Sequence, residues 1–151
     1  MNAYQLTIPA ENKPGVLARV TTLLAGEKIN IRATTISSFG DSGFLNLIVD
    51  DPERGKKVLE KEGIAVTLKE IIAVLIKDKP GGLDNLVQFL ADEKVNIENA
   101  YGFVIESRKN AVFVIDVNDP SGVKALLAGA GFETLASQEL SEIEPFHYMK
   151  Y

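Results

Sequence analysis

Apolar and polar positions divide the chain into two runs of elements in the same order. Tyr4-Gln5-Leu6-Thr7-Ile8 alternates with period two, which predicts a half-buried strand. Val16, Leu17, Val20, Leu23 and Leu24 then share one helical face. Pro14 suits the first helical position, where a missing N–H costs nothing. The Ile- and Thr-rich stretch Asn30–Phe39 predicts a second strand, Gly40-Asp41-Ser42-Gly43 a turn, and Phe44–Val49 the return strand. Asp51 before Pro52 predicts an N-cap for a mostly charged helix over Pro52–Glu62, stopped at Gly63. Ile64–Lys69 predicts the closing strand.

The second run repeats this order. Ile71–Ile76 is almost wholly apolar, as a central strand buried on both faces must be. Pro80 is placed to open a helix carrying Leu83, Leu86, Val87 and Leu90 on one face. Asn96–Ile105 and Ala111–Val117 predict a hairpin, two residues longer than its counterpart. Asp119-Pro120 starts a helix running to Ala128, and Phe132–Ser137 a last strand. At Lys69-Glu70-Ile71 strand runs into strand with almost no linker.

The residues themselves recur. Lys13-Pro14-Gly15-Val16-Leu17 returns 66 residues later as Lys79-Pro80-Gly81-Gly82-Leu83. At the same offset Lys28-Ile29-Asn30-Ile31 returns as Lys94-Val95-Asn96-Ile97. Ten of the nineteen aligned positions from Lys13 and from Lys79 are identical, so the chain is a tandem repeat. The expected fold class is α+β: two ferredoxin-like β-α-β-β-α-β units, each an antiparallel sheet with its helices on one face. Strands one and three are central, and two and four are edges. The expected division is residues 1–70, residues 71–140 and an aromatic C-terminal tail over 141–151. Units of about 70 residues have small cores, so cover from each other or from a second chain is expected, with a homodimer as one solution. The tail, with Phe146, His147, Tyr148, Met149 and Tyr151, is expected to dock on its own chain or a neighbour.

Composition narrows the function. A net charge of −5 lacks the basic footprint that nucleic acid or an anionic membrane demands. Absence of cysteine excludes disulfides and thiolate chemistry, and a lone histidine makes no cluster, so no metal and no cofactor are expected. The N-terminus lacks the pattern of a signal peptide, and the longest apolar run is too short to cross a bilayer. A cytoplasmic location is expected.

The repeated residues are the candidate site. A glycine where strand turns into helix lets backbone or ligand approach closely. The first helical turn leaves N–H groups unpaired at the positive end of the dipole, which suits a carboxylate. Asn12 and Asn30 add amides at the first copy, and Asp78 and Asn96 an acid and an amide at the second. Asp78 would attract an ammonium or cap the helix. A donor-rich helix start with nearby acceptors fits a zwitterion. Pro-Gly alone punctuates a helix start and a lone Asn a turn; recurrence of the whole set points to a ligand, although descent of two structural units from one would also repeat it.

These motifs resemble tandem ACT domains, small-molecule sensing modules of amino-acid metabolism. The resemblance spans about residues 3 to 140. It rests on Asn12-Lys13-Pro14-Gly15-Val16-Leu17 followed by Ile29-Asn30-Ile31, and on Lys79-Pro80-Gly81-Gly82-Leu83 followed by Val95-Asn96-Ile97, with Asp78 where the first copy has Asn12. It implies that these residues line amino-acid pockets, usually where two such units meet. The first copy is similar to the serine-sensing domain of phosphoglycerate dehydrogenase, whose two ligand-holding Asn residues match Asn12 and Asn30. Where that domain has a His, this chain has Ala10. The resemblance implies a free-standing, non-catalytic amino-acid sensor. Its expected partners are a free L-amino acid and an enzyme of amino-acid or aryl-acid metabolism. The other readings are a subunit with vestigial pockets and a small enzyme on the same fold, for which no nucleophile or tuned base is in sight.

Overall fold

The structure is a computed structural model that describes residues 2–11 and 13–142. Asn12 and the aromatic stretch 143–151 lie outside the described residues. The chain divides into two units. One is Tyr4–Glu70; the other runs from Ile71 onward and takes in the N-terminal residues through Ala3.

The first unit comprises β1 (Ala3–Glu11), α1 (Val16–Gly26), β2 (Ile31–Phe39), β3 (Ser42–Val49), α2 (Pro52–Lys61) and the opening of β4 (Thr67–Lys77). Its strand order is β2-β3-β1-β4. Alternation in β1 and β3 sends Leu6, Ile8, Leu45, Leu47 and Val49 into one core with Val20 and Leu24 of α1 and Leu59 of α2. Each such side chain contributes about 1.5–3 kcal/mol by leaving water.

The alternation correctly predicts β1, but its polar positions are not solvated. Gln5 is 1% exposed and Asn46 is buried beside it. The Gln5 Nε2 donates to Thr7 Oγ1 at 3.0 Å and to Asn46 Oδ1 at 3.2 Å. Asn46 Nδ2 donates in turn to Thr35 Oγ1 at 3.2 Å. The cross-strand register Thr7↔Asn46 and Thr35↔Asn46 brings these groups together on one sheet face. A buried amide is tolerated because it finds partners.

The second unit continues with the rest of β4, then α3 (Gly82–Asp92), β5 (Asn99–Glu106), β6 (Asn110–Asp116), α4 (Pro120–Gly129), β7 (Thr134–Leu135) and α5 (Ser137–Glu142). β5, β6 and β4 lie in that order and β7 pairs with β4. The core joins Ile72, Val74, Ile115 and Val117 to Leu86, Leu90, Val123 and Leu127. Both units are antiparallel sheets with two principal helices, the expected β-α-β-β-α-β order.

Several boundaries differ from expectation. Strand runs unbroken from Thr67 to Lys77, so the expected closing and opening strands are one element. Asn96 precedes β5, which begins at Asn99. The last strand is only Thr134–Leu135, because the chain turns at Ala136 into α5. Glu139 Oε1 accepts the Ala136 N–H at 2.9 Å, half of a capping box. The Ser137 N–H is held by the Asn2 carbonyl at 3.1 Å, which ties the N-terminus to this unit. Ala136 is not a cap residue, so this helix start carried no sequence signal. No helix among the described residues is long and apolar enough to cross a membrane.

Candidate functional site

The four longer helices, α1 to α4, start in two ways. α2 and α4 have the Asp-Pro starts expected: Asp51 Oδ1 accepts the Arg54 N–H at 3.2 Å and Asp119 Oδ1 the Gly122 N–H at 3.1 Å. α1 and α3 have no side-chain cap. Each follows a left-handed glycine, Gly15 (φ 92°) and Gly81 (φ 87°). A residue with that φ cannot lie inside a helix, so helix begins after it. Pro14 and Pro80 therefore precede the helices and do not occupy their first positions, a correction to the expectation. The first turns of α1 and α3 are left with no side-chain acceptor, and their dipole ends favour an anion.

A cavity of about 560 Å³ opens beside the start of α3. The loop residues Lys79, Pro80, Gly81 and Gly82 form one side, with Asn85 from the first turns of the helix. Lys77 at the end of β4, Asn110 at the start of β6 and the Ala130–Glu133 connection complete it. Gly82 makes this geometry possible. A Cβ there would sit 2.0 Å from the Lys77 carbonyl oxygen, so only glycine allows the helix start to fold against the strand end. The Gly82 N–H donates to the Lys79 carbonyl at 2.9 Å, closing the loop.

The corresponding cavity of the first unit is about 120 Å³. Lys13, Val16 and Leu17 line it, with Ile36, Phe44 and Leu45 from the hairpin. At about 30 Å³ per water molecule it holds about four waters. Its charged groups are already matched. Lys13 and Glu11 form an ion pair, which lowers the Glu11 pKa and raises that of Lys13. Val16 and Leu17 also pack on the unit's core.

The remaining sequence candidates lie elsewhere. Asn30 precedes β2; its N–H donates to Asp50 Oδ1 at 3.2 Å and its carbonyl accepts the Asp50 N–H at 3.1 Å. Strand register puts it far from the loop of its own unit. Ile31 pairs with Val49, whereas Glu11 and Phe39 both pair with Ser42. The loop is at the hairpin end of the sheet and Asn30 at the opposite end, separated by the length of α1, about 16 Å. Asn96 stands likewise beyond Asn99, while Lys77 pairs with Asn110 at the hairpin end. Ile31 and Ile97 pack on the cores, and Leu83 is exposed. Asp78 does not cap α3. Its Oδ2 accepts the Arg108 N–H at 2.6 Å, which pins the β5–β6 turn where Arg108 has a positive φ of 65°.

Sequence reasoning missed Lys77, Asn85, Asn110 and Glu133 as cavity residues. The last two come from connections far along the chain, joined to the loop only by strand pairing. No group of three His, Cys, Asp or Glu among the described residues is placed to hold a metal ion.

Comparison with known proteins agrees with this architecture. The family model described as "ACT domain pair" matches residues 1–143, and the chain belongs to that family. Protein BT0572 from Bacteroides thetaiotaomicron is similar at 34% identity over 94% of this chain and 97% of that one, with a TM-score of 0.86. The ligand-free regulatory subunit of aspartate kinase from Thermus thermophilus shares the fold. It has 18% identity over 86% of this chain and 94% of that one, with a TM-score of 0.62. Aspartokinase alpha and beta subunits share it at a TM-score of 0.56, with 17% identity over 85% of this chain and 92% of that one. No curated protein matches the chain by sequence.

Proposed function

We propose that this ACT domain pair is a non-catalytic, cytoplasmic regulatory protein. It binds a free L-amino acid and acts, as a homodimer, on a separate enzyme of amino-acid metabolism. The observation that carries the reading is the 560 Å³ cavity at the uncapped start of α3, a volume within the range of small-molecule sites. Anion-favouring helix start and nearby carboxylate suit a zwitterion. The fold shared with the aspartate kinase regulatory subunit supports a regulatory role.

The second copy is the working site in this reading. The first has about a fifth of the volume and a self-neutralised ion pair. Asn30 and Asn96 enter differently from the loops. Each lies at the far end of its own unit, away from the loop. Thermal denaturation of the purified chain with each of the twenty amino acids tests the proposal. A ligand at a hundred times its Kd stabilises by about 2.7 kcal/mol. That moves the Tm of a domain this size by roughly 5–10 °C. No shift with any amino acid would instead favour a subunit with vestigial pockets.

A further inference from the structure

We propose that the second cavity selects an acidic amino acid, an α-amino dicarboxylate of the aspartate–glutamate class. The inference rests on the reading of that cavity as an amino-acid site and adds the class of ligand. Three charged residues, all exposed, are among those lining the cavity: Lys77, Lys79 and Glu133. Two amides, Asn85 and Asn110, join them. None of the three makes an ion pair among the described residues. No hydrogen bond within the protein engages any of the five side chains either, again among the described residues. The first cavity differs here too, because its Lys13 and Glu11 neutralise each other.

The charges decide the class. Two ammonium groups and one carboxylate leave the lining at +1, on a chain whose net charge is −5. A ligand with two carboxylates and one ammonium carries −1 and matches each group with its opposite. A neutral amino acid leaves one lysine unmatched, and a basic one adds a third cation to a positive lining. A dicarboxylate without an amino group leaves Glu133 facing only negative charge. Like charges brought together lower affinity, and opposite charges in hydrogen-bond reach raise it.

Titration calorimetry on the intact chain compares ligands of equal shape: L-aspartate with L-asparagine, L-glutamate with L-glutamine, and L-aspartate with succinate. One of the acidic pair binds roughly tenfold tighter than its amide, the scale of one charge-assisted contact. Of Lys77→Ala and Lys79→Ala, the one that removes the partner of the side-chain carboxylate abolishes most of that preference while moving the amide's affinity less than about twofold, and the other, which removes the partner of the shared α-carboxylate, weakens acid and amide alike. Glu133→Gln brings succinate level with L-aspartate. Lys79→Glu, which inverts the charge, shifts preference toward L-lysine. Lys57→Ala, at an exposed position of α2, leaves every affinity unchanged. Amides binding as tightly as acids, or both lysine variants weakening acid and amide alike, overturn the acidic class and leave the amino-acid reading standing. If none of the twenty amino acids binds, the amino-acid reading itself falls.

Discussion

At Gly82 the chain has no freedom to vary. The 2.0 Å approach that a Cβ would make is to backbone, which cannot swing aside as a side chain does. Gly82→Ala is expected to cost about 1–3 kcal/mol by overpacking and to deform the cavity. Urea denaturation measures the cost, and a variant as stable as wild type would refute it. Asn46 shows the converse case, a polar residue fixed by its partners. Asn46→Ala removes one of the two acceptors of the buried Gln5 Nε2 and leaves it Thr7, at a cost of about 0.5–1.5 kcal/mol. Asn46→Ala combined with Gln5→Leu should recover part of the loss. Tyr101 supplies a pH signature. Burial, and secondarily the Asp116 carboxylate, raise its phenol well above the ordinary value. Raised in the folded state, it contributes stability that is complete below about pH 10 and is lost as pH rises through the folded-state value. Tyrosinate absorbance should therefore show one phenol that ionises only as the fold melts. Ordinary titration of every tyrosine would contradict this. Neither Asn46 nor Tyr101 stood out in the sequence, since strand alternation places such residues on the outward face and is blind to what covers it.

Among the elements, most of the fold was legible because periodicity and turn chemistry are local. Leu86 and Leu90 at helical spacing, Asp51-Pro52, Asp119-Pro120 and Gly63 each act over a few residues, and each appears where expected. Apart from the helix starts moved by Gly15 and Gly81, the errors arise where a distant group decides. α5 begins after Ala136, where Glu139 holds the Ala136 N–H and Asn2 the Ser137 N–H, and Asn2 is more than a hundred residues away. Asp78 leaves the helix it precedes and holds the turn at Arg108. The same limit explains the site. The loop beside Gly81 was visible as a repeat, but Asn110 and Glu133 join it only through the pairing of β4 with β6 and β7. The two acids thus separate by mutation. Asp119→Ala removes a cap and should cost about 1 kcal/mol with the β5–β6 turn unchanged. Asp78→Ala should loosen that turn, seen as faster amide exchange at Arg108 with α3 still formed. Equal exchange at Arg108 in both variants would place the acceptor elsewhere.

On the scale of the whole chain, small units leave much uncovered. β2 and β5 lie at the outer ends of their strand orders, and Ile36 and Val104 on them are 60% and 55% exposed. Leu83 and Val87, one helical turn apart on α3, are exposed as well. Open edges and apolar helix faces invite another chain. The expected solution species is a dimer, of about 33 kDa against 16.4 kDa for one chain. Light scattering at micromolar concentration measures it, and the two surfaces can be told apart. Val104→Lys places a charge on the β5 edge and splits the dimer if that edge is the contact. Leu83→Glu with Val87→Glu splits it if α3 is the contact. Where the ligand also bridges two chains, a saturating amino acid must tighten the dimer by the same factor by which dimerisation tightens the ligand. A wild-type chain that stays at 16.4 kDa while binding its amino acid in full would remove both the dimer and the bridging pocket.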